Sequence, residues 1–333
     1  MNRWLVFSLL CFWLLFTLFP IYWVFVTVLK PAPAVFNGPT YFPFIDFTPS
    51  LAGFREILGG GRGNMLPPLW NSALIATVST AVATLLGSMA AYALVRFEFR
   101  VKLLAGLLFA VIGIGGYWLL TWQGLNTLSA MGLAFGTALI LAILANRMPL
   151  PGKVLGNGDI AFWFISQRMF PPIVSAFALY LLYVEIGKSG VRALDSFWGL
   201  SVCYIAFILP IVVWLMRDFF ENLPVAVEEA ALVDNVPRLR IFFEIVLPMA
   251  RPGLIATFLI CLGFVWNEFL FALILTSGEW QTLPIAISGQ NSVRGTEWWG
   301  IAGAAAIAIL PMMILTAILA RMMRSGLMLG AVK

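Results

Sequence analysis

The sequence predicts an all-α protein that crosses a membrane several times, and three observations carry that expectation. Of 333 residues, 62% are hydrophobic and only 11% charged, whereas a water-soluble domain carries roughly a quarter of its residues charged. The mean hydropathy is +0.97. The apolar residues are gathered into runs of about 20, the length a helix needs to cross the hydrocarbon core. These runs lack the apolar/polar alternation of a membrane barrel.

Taken in order, the expected spans are about Trp4 to Leu29, Leu69 to Val95, Leu103 to Thr121, Leu125 to Ala145, Phe162 to Val184, Phe197 to Met216, Leu254 to Thr276 and Trp298 to Ala320, eight in all. The first run is too long for the apolar region of a signal peptide, roughly 7–15 residues, and reads as an anchor helix although Ala32-Pro33-Ala34 resembles a cleavage site. The Pro- and Gly-rich stretch from Lys30 to Pro68 reads as an irregular external segment, with a short helix near Leu51 to Leu58. Fourteen of the 20 Lys and Arg residues fall on one set of span ends and six on the other. The positive-inside rule then puts both termini in the cytoplasm.

Composition excludes several function classes. Histidine is absent, which removes histidine bases, proton relays and histidine metal sites. Cys11, Cys203 and Cys261 sit singly inside apolar runs, so they read as packing residues with no metal or disulfide spacing. The net charge of +5 is spread over helix ends, a pattern of membrane orientation and not of nucleic-acid binding. Neither a catalytic constellation nor a GxxxxGK[ST] phosphate loop is present. A transporter subunit is expected, not an enzyme, with no cofactor held by this chain. An ion-driven transporter would need several membrane-depth acidic groups, and Glu268 alone qualifies.

The longest cytoplasmic loop, 217–251, is the most informative stretch. It divides into two short helices. Pro224 suits the opening of the first, and Glu228 and Glu229 lie near its positive end. Ala230 and Ala231 give a flat face for close packing against another protein. Asp234-Asn235 makes the turn, either residue suits a cap for the second helix, and Pro237 suits its first turn. Ile241, Phe242, Ile245 and Val246 give that helix an apolar side, and Pro248 ends or bends it.

This loop resembles the EAA loop of ABC-importer permeases, whose pattern is Glu-Ala-Ala, three residues, Gly, nine residues, Ile, any residue, Leu-Pro. Glu229-Ala230-Ala231, Ile245 and Leu247-Pro248 match it, and Asn235 stands at the glycine position. That position is expected to need a left-handed backbone, which Asn tolerates better than other non-glycine residues. Asn71-Ser72, Ala91-Tyr92-Ala93-Leu94, Gln167-Arg168-Met169-Phe170-Pro171-Pro172, Trp266-Asn267-Glu268-Phe269 and the tail from Gly326 to Lys333 resemble the maltose-transporter type of carbohydrate permease.

The resemblance implies one transmembrane domain over 1–333, a six-helix permease core interrupted by an inserted hairpin at 101–146. Gly132 and Gly136 have the GxxxG spacing that lets helices approach closely in that hairpin. The resemblance also implies partners in a bacterial inner membrane: a second permease chain, a dimer of ATP-binding subunits carrying ATP and Mg, and a periplasmic binding protein that delivers a sugar or sugar alcohol. Glu228, Glu229, Ala230, Ala231, Asp234, Asn235, Ile245, Leu247 and Pro248 are then the residues that couple to the ATPase. Trp266, Asn267 and Glu268 offer an aromatic face and hydrogen-bonding groups for a hydroxylated ligand. Glu268 reads first as a structural group that pairs with a basic residue or holds a kink, with a pathway or gating role as the alternative. Pro171 and Pro172 should break the fifth span, and broken helices often line a path. Gln167 and Arg168 read as helix-end anchors or contacts toward the ATPase-facing loops.

Overall fold

The structure, a computed structural model, describes residues 3–36, 40–59, 64–149, 152–289, 291–292, 295–296 and 298–324. Arg62, Arg294 and the tail from Gly326 to Lys333 lie outside the described residues. The helices in chain order are α1 Arg3–Val28, α2 Ala32–Phe36, α3 Ala52–Leu58, α4 Leu66–Arg96, α5 Leu103–Trp122, α6 Thr127–Arg147, α7 Asn157–Ser166, α8 Pro172–Lys188, α9 Phe197–Glu221, α10 Val225–Val233, α11 Arg238–Arg240, α12 Leu247–Met249, α13 Arg251–Trp266, α14 Leu270–Leu275, α15 Leu283–Ser288 and α16 Trp298–Arg324. A π-helical turn, Ile241–Val246, joins α11 to α12.

Among the described residues, six helices are long and apolar enough to span a membrane, and the number reaches eight if two bent pairs each count as one span. The expected fifth span is one such pair. Its helix stops after Ser166, passes through a 3-10 turn at Gln167–Met169 and restarts at Pro172, with a bend of 89°. The cause is local. Phe170 and Pro171 each precede a proline, which disfavours helical backbone; Phe170 is extended, and Pro171, with ψ 119°, is also outside the helical region. The expected seventh span also differs from expectation. The helix α13 ends at Trp266, and the chain breaks over 267–269 before α14. At its other end α13 meets the preceding helix at 79°, with the corner at Ala250. Pro252 cannot donate a backbone hydrogen bond and its ring crowds the carbonyl four residues back, so the helix cannot run straight through.

The chain divides into two compact units, Met1–Ala73 with Gln281–Ala317 and Leu74–Trp280 with Ile318–Lys333. In the first, Val28, Ile57 and Met65 are buried. Asn71 Nδ2 donates to the Gln281 carbonyl at 3.1 Å, and Ser72 Oγ accepts from the Leu283 N–H at 2.7 Å. The Asn-Ser pair therefore fastens the segment that leads into α15. Lys30 is buried over the Trp23 ring, 4.5 Å from its centroid. That burial pulls its amine below the ordinary lysine range, against the opposing pull of Asp46.

In the second unit, α5 and α6 pack on each other as an antiparallel hairpin. A two-residue ladder, Val101–Lys102 with Val154–Leu155, closes its base. Asn157 ties the entry to the exit, since its Nδ2 donates to the carbonyls of Leu94 and Phe97, both at 2.6 Å, and its Oδ1 accepts from Phe99 at 2.8 Å. The close approach does not use the expected Gly132 and Gly136, around whose Cα positions a methyl would meet nothing within 4 Å. It uses Gly113, where a methyl would lie 2.8 Å from the Phe135 ring, and Gly116 opposite Ala134. Ala130, Ala134 and Ala138, one helical turn apart, are the buried stripe of α6.

Candidate functional site: a helix–turn–helix and a broken span

The loop after α9 folds as two short helices joined at Asp234-Asn235. Asn235 has φ 59°, in the left-handed region. That conformation turns the Val236 N–H back to the Ala231 carbonyl at 3.0 Å, while the Asn235 N–H reaches Leu232 at 3.0 Å. Two carbonyls left over at the end of α10 are thereby satisfied. The start of the second helix differs from expectation. Neither Asp234 nor Asn235 caps it; the helix opens at Arg238 behind an extended Pro237 with no side-chain cap. Val236 and Pro237 hold the turn two residues away, out of capping reach. Pro224 likewise stands just before α10, in extended backbone, and not inside it.

The two faces of this element are chemically distinct. Ile241, Phe242 and Val246 point inward and are at most 2% exposed. Ala231 is also buried, whereas Ala230 and Glu229 are exposed, so the two alanines, about 100° apart around the helix, do not share one flat surface. The outer tip is apolar: Val233 is 80% exposed and Leu239 66%. Asp234 is exposed beside them, Ile245, Leu247 and Pro248 are half-buried, and Pro248 lies within α12 just before the corner at Ala250. Proline removes a backbone donor and crowds the preceding turn, and the backbone upstream of it widens into the π-helical turn.

Glu228 belongs to the inner face. It is 6% exposed and forms an ion pair with Arg96 Nε at 2.8 Å. The Tyr92 hydroxyl donates to its other oxygen at 2.7 Å. In the sequence Ala91-Tyr92-Ala93-Leu94 stands out only as a resemblance, and Arg96 only as a charge at a span end. The signal was a lone Tyr and a lone Arg one turn apart at the end of a span.

The break in the fifth span opens a cavity of about 520 Å³. Ser166, Gln167, Arg168, Phe170, Pro172, Ser175, Phe207 and Phe271 are among the residues that line it. Phe207 and Phe271 meet edge to face with centroids 5.3 Å apart. The Arg168 guanidinium stacks on Phe207 at 4.2 Å and donates to its carbonyl at 3.0 Å. Arg168 is therefore part of the cavity wall. Of the residues expected to form the path, Pro172 lines it and Pro171 makes the bend. Trp266 is buried and is not among the lining residues, and the exposed Asn267 donates to the Gly263 carbonyl at 2.9 Å at the end of α13. Glu268 is buried with its two oxygens accepting from the N–H groups of Phe271 at 2.9 Å and Ala272 at 3.2 Å. It caps α14 from behind and presents Phe271 to the cavity.

A model of the family described as binding-protein-dependent transport system inner membrane component matches residues 138–327, more than half of the chain. The chain belongs to that family. The match takes in the broken span, the cavity and the helix–turn–helix of this permease. Its sequence is 29% identical to the trehalose transport system permease protein SugB of Mycobacterium tuberculosis over 96% of this chain and 93% of that one. It is 25% identical to the trehalose/maltose transport system permease protein MalG of Thermococcus litoralis over 95% and 91%. Among solved structures, a bacterial ABC transporter involved in the import of the acidic polysaccharide alginate matches the permease with a TM-score of 0.60 at 18% identity, over 95% of this chain and 94% of that one.

Between α8 and α9, Asp195 gathers a loop. Its carboxylate accepts from the N–H groups of Glu279 and Trp280 at 3.0 Å and Ser277 at 3.3 Å, and Arg192 pairs with it at 3.3 Å. Burial pushes its pKa up, but the backbone donors together prevail and hold it below the usual carboxylate range. That loop is thus held most firmly where Asp195 is ionised and loosens as pH falls through the depressed pKa.

Proposed function

We propose that this permease is one of two membrane subunits of an ATP-driven importer for a sugar or sugar alcohol, in a bacterial inner membrane with both termini cytoplasmic. The exposed apolar tip of the helix–turn–helix, Val233 and Leu239 around the Asn235 turn, carries this reading. Apolar side chains so exposed on a rigid element, on the side richest in Lys and Arg, call for a protein partner. The partner is a dimer of ATP-binding subunits, and ATP with Mg bound there supplies the energy. Glu229 stands beside the tip to make a charge-assisted contact. A second permease chain completes the path, and a periplasmic binding protein delivers the substrate.

The broken span supplies this chain's share of the path. Aromatic rings with a few hydroxyl, amide and guanidinium groups are the combination that holds a hydroxylated ligand. The names of the relatives, trehalose and trehalose/maltose systems, support a carbohydrate. Glu268 acts in this reading as a support for Phe271 and not as a ligand. The test is co-purification with the ATP-binding subunit. Replacing Val233 with Asp puts a charge into the centre of the contact and is expected to lower recovery of the ATPase by about tenfold or more, with the chain still in the membrane. Undiminished recovery would overturn the docking assignment.

A further inference from the structure

A docking element transmits a displacement only if it is fixed to what must move. Apolar contact alone lets a short helix pair slide. Here one guanidinium fastens three elements. Arg96, the last residue of α4, donates from Nε to Glu228 of α10 at 2.8 Å. From Nη2 it donates to the carbonyls of Phe220 at 3.1 Å and Leu223 at 3.2 Å, at and just beyond the end of α9. Tyr92, one turn earlier on α4, reaches the second oxygen of Glu228, and its ring lies 5.1 Å from that of Phe242 in the π-helical turn. The charged side chains are only 12% and 8% exposed. A pair shielded to that degree is little weakened by salt, and either charge left alone there would be costly.

We infer that Tyr92, Arg96 and Glu228 form a strut: positioning residues that carry movement of the docking helix into α4 and α9. The neighbouring glutamates thereby divide the work, Glu229 facing the partner and Glu228 facing the spans. The inference rests on the docking role proposed above. It predicts a defect that docking residues do not give, in which the ATPase stays bound and hydrolyses ATP while the path no longer responds.

The experiment uses the assembled complex with the three native cysteines replaced and Ser175→Cys placed in the cavity. Maleimide labelling of that cysteine is measured without nucleotide and with Mg, ATP and vanadate. The parent complex is expected to change its labelling rate between the two states. Glu228→Gln, which keeps the shape and removes the charge, is expected to retain the ATPase and shrink that change by about tenfold. Tyr92→Phe, which keeps the ion pair, should shrink it less. A full response in Glu228→Gln with the ATPase bound would overturn the strut, and so would loss of the ATPase, which would put Glu228 on the docking face. If Glu228→Gln does not assemble, Tyr92→Phe decides alone: a reduced response with bound ATPase supports the strut and an unchanged one overturns it. A parent complex that never retains an ATPase, or whose labelling ignores nucleotide, would instead sink the proposed function.

Discussion

Asn235 shows how far one residue can be read from its position in a pattern. It stands where a glycine is expected, and its φ of 59° is the left-handed backbone that explains the glycine. Asparagine enters that region at less cost than other residues with a side chain. Asn235→Gly should therefore leave the turn intact. Asn235→Val should destabilise it by about 1–2 kcal/mol, because a β-branched side chain collides with its own backbone there. Thermal unfolding of the purified subunit, with protease cleavage at the turn as a local readout, distinguishes the two. Equal stability of the Gly and Val variants would contradict the backbone argument. Glu268 was less legible. A carboxylate in an apolar run announces that it has a task, but the task depends on whether the helix is continuous there, and it is not.

At the scale of the element, the inserted hairpin separates a motif from its use. Gly132 and Gly136 have the right spacing for close helix approach, yet they face open space on α6. Spacing places residues on one face of a helix and leaves open which face meets the neighbour. The alanine stripe at 130, 134 and 138 has the same periodicity and is the buried one. Gly113→Val should accordingly disrupt the hairpin, since its first added carbon would lie 2.8 Å from the Phe135 ring, at a cost of about 1–3 kcal/mol of overpacking. Gly136→Ala should be close to neutral. Melting temperatures of the two variants check this, and a larger loss for Gly136→Ala would restore the glycine seam.

For the whole molecule, the charge asymmetry makes a topological prediction. Arg55 and Arg240 are both exposed and fall on opposite sides of the expected membrane. In a background without the native cysteines, Arg55→Cys should react with an impermeant maleimide from the periplasm in intact cells. Arg240→Cys should react only after the membrane is opened. The reverse pattern would invert both termini and place the helix–turn–helix away from ATP.

The sequence alone determined what depends on composition and on short-range chemistry. Apolar runs longer than a bilayer must be helices, because backbone polar groups in lipid have only one another for partners. Prolines break the chain where they stand, and a fixed spacing around Asn235 specifies a turn. What only the tertiary structure decided is which groups meet across long separations. Arg96 and Glu228 lie 132 positions apart, and no periodicity within either helix records the other. The cavity beside Arg168 exists only because α9 and α14 close around the bend of a third segment. The direction that Glu228 faces, turned inward while its neighbour Glu229 is exposed, follows from the 100° step of the helix together with the position of α4. The first is in the sequence, and the second is known only once the chain has packed.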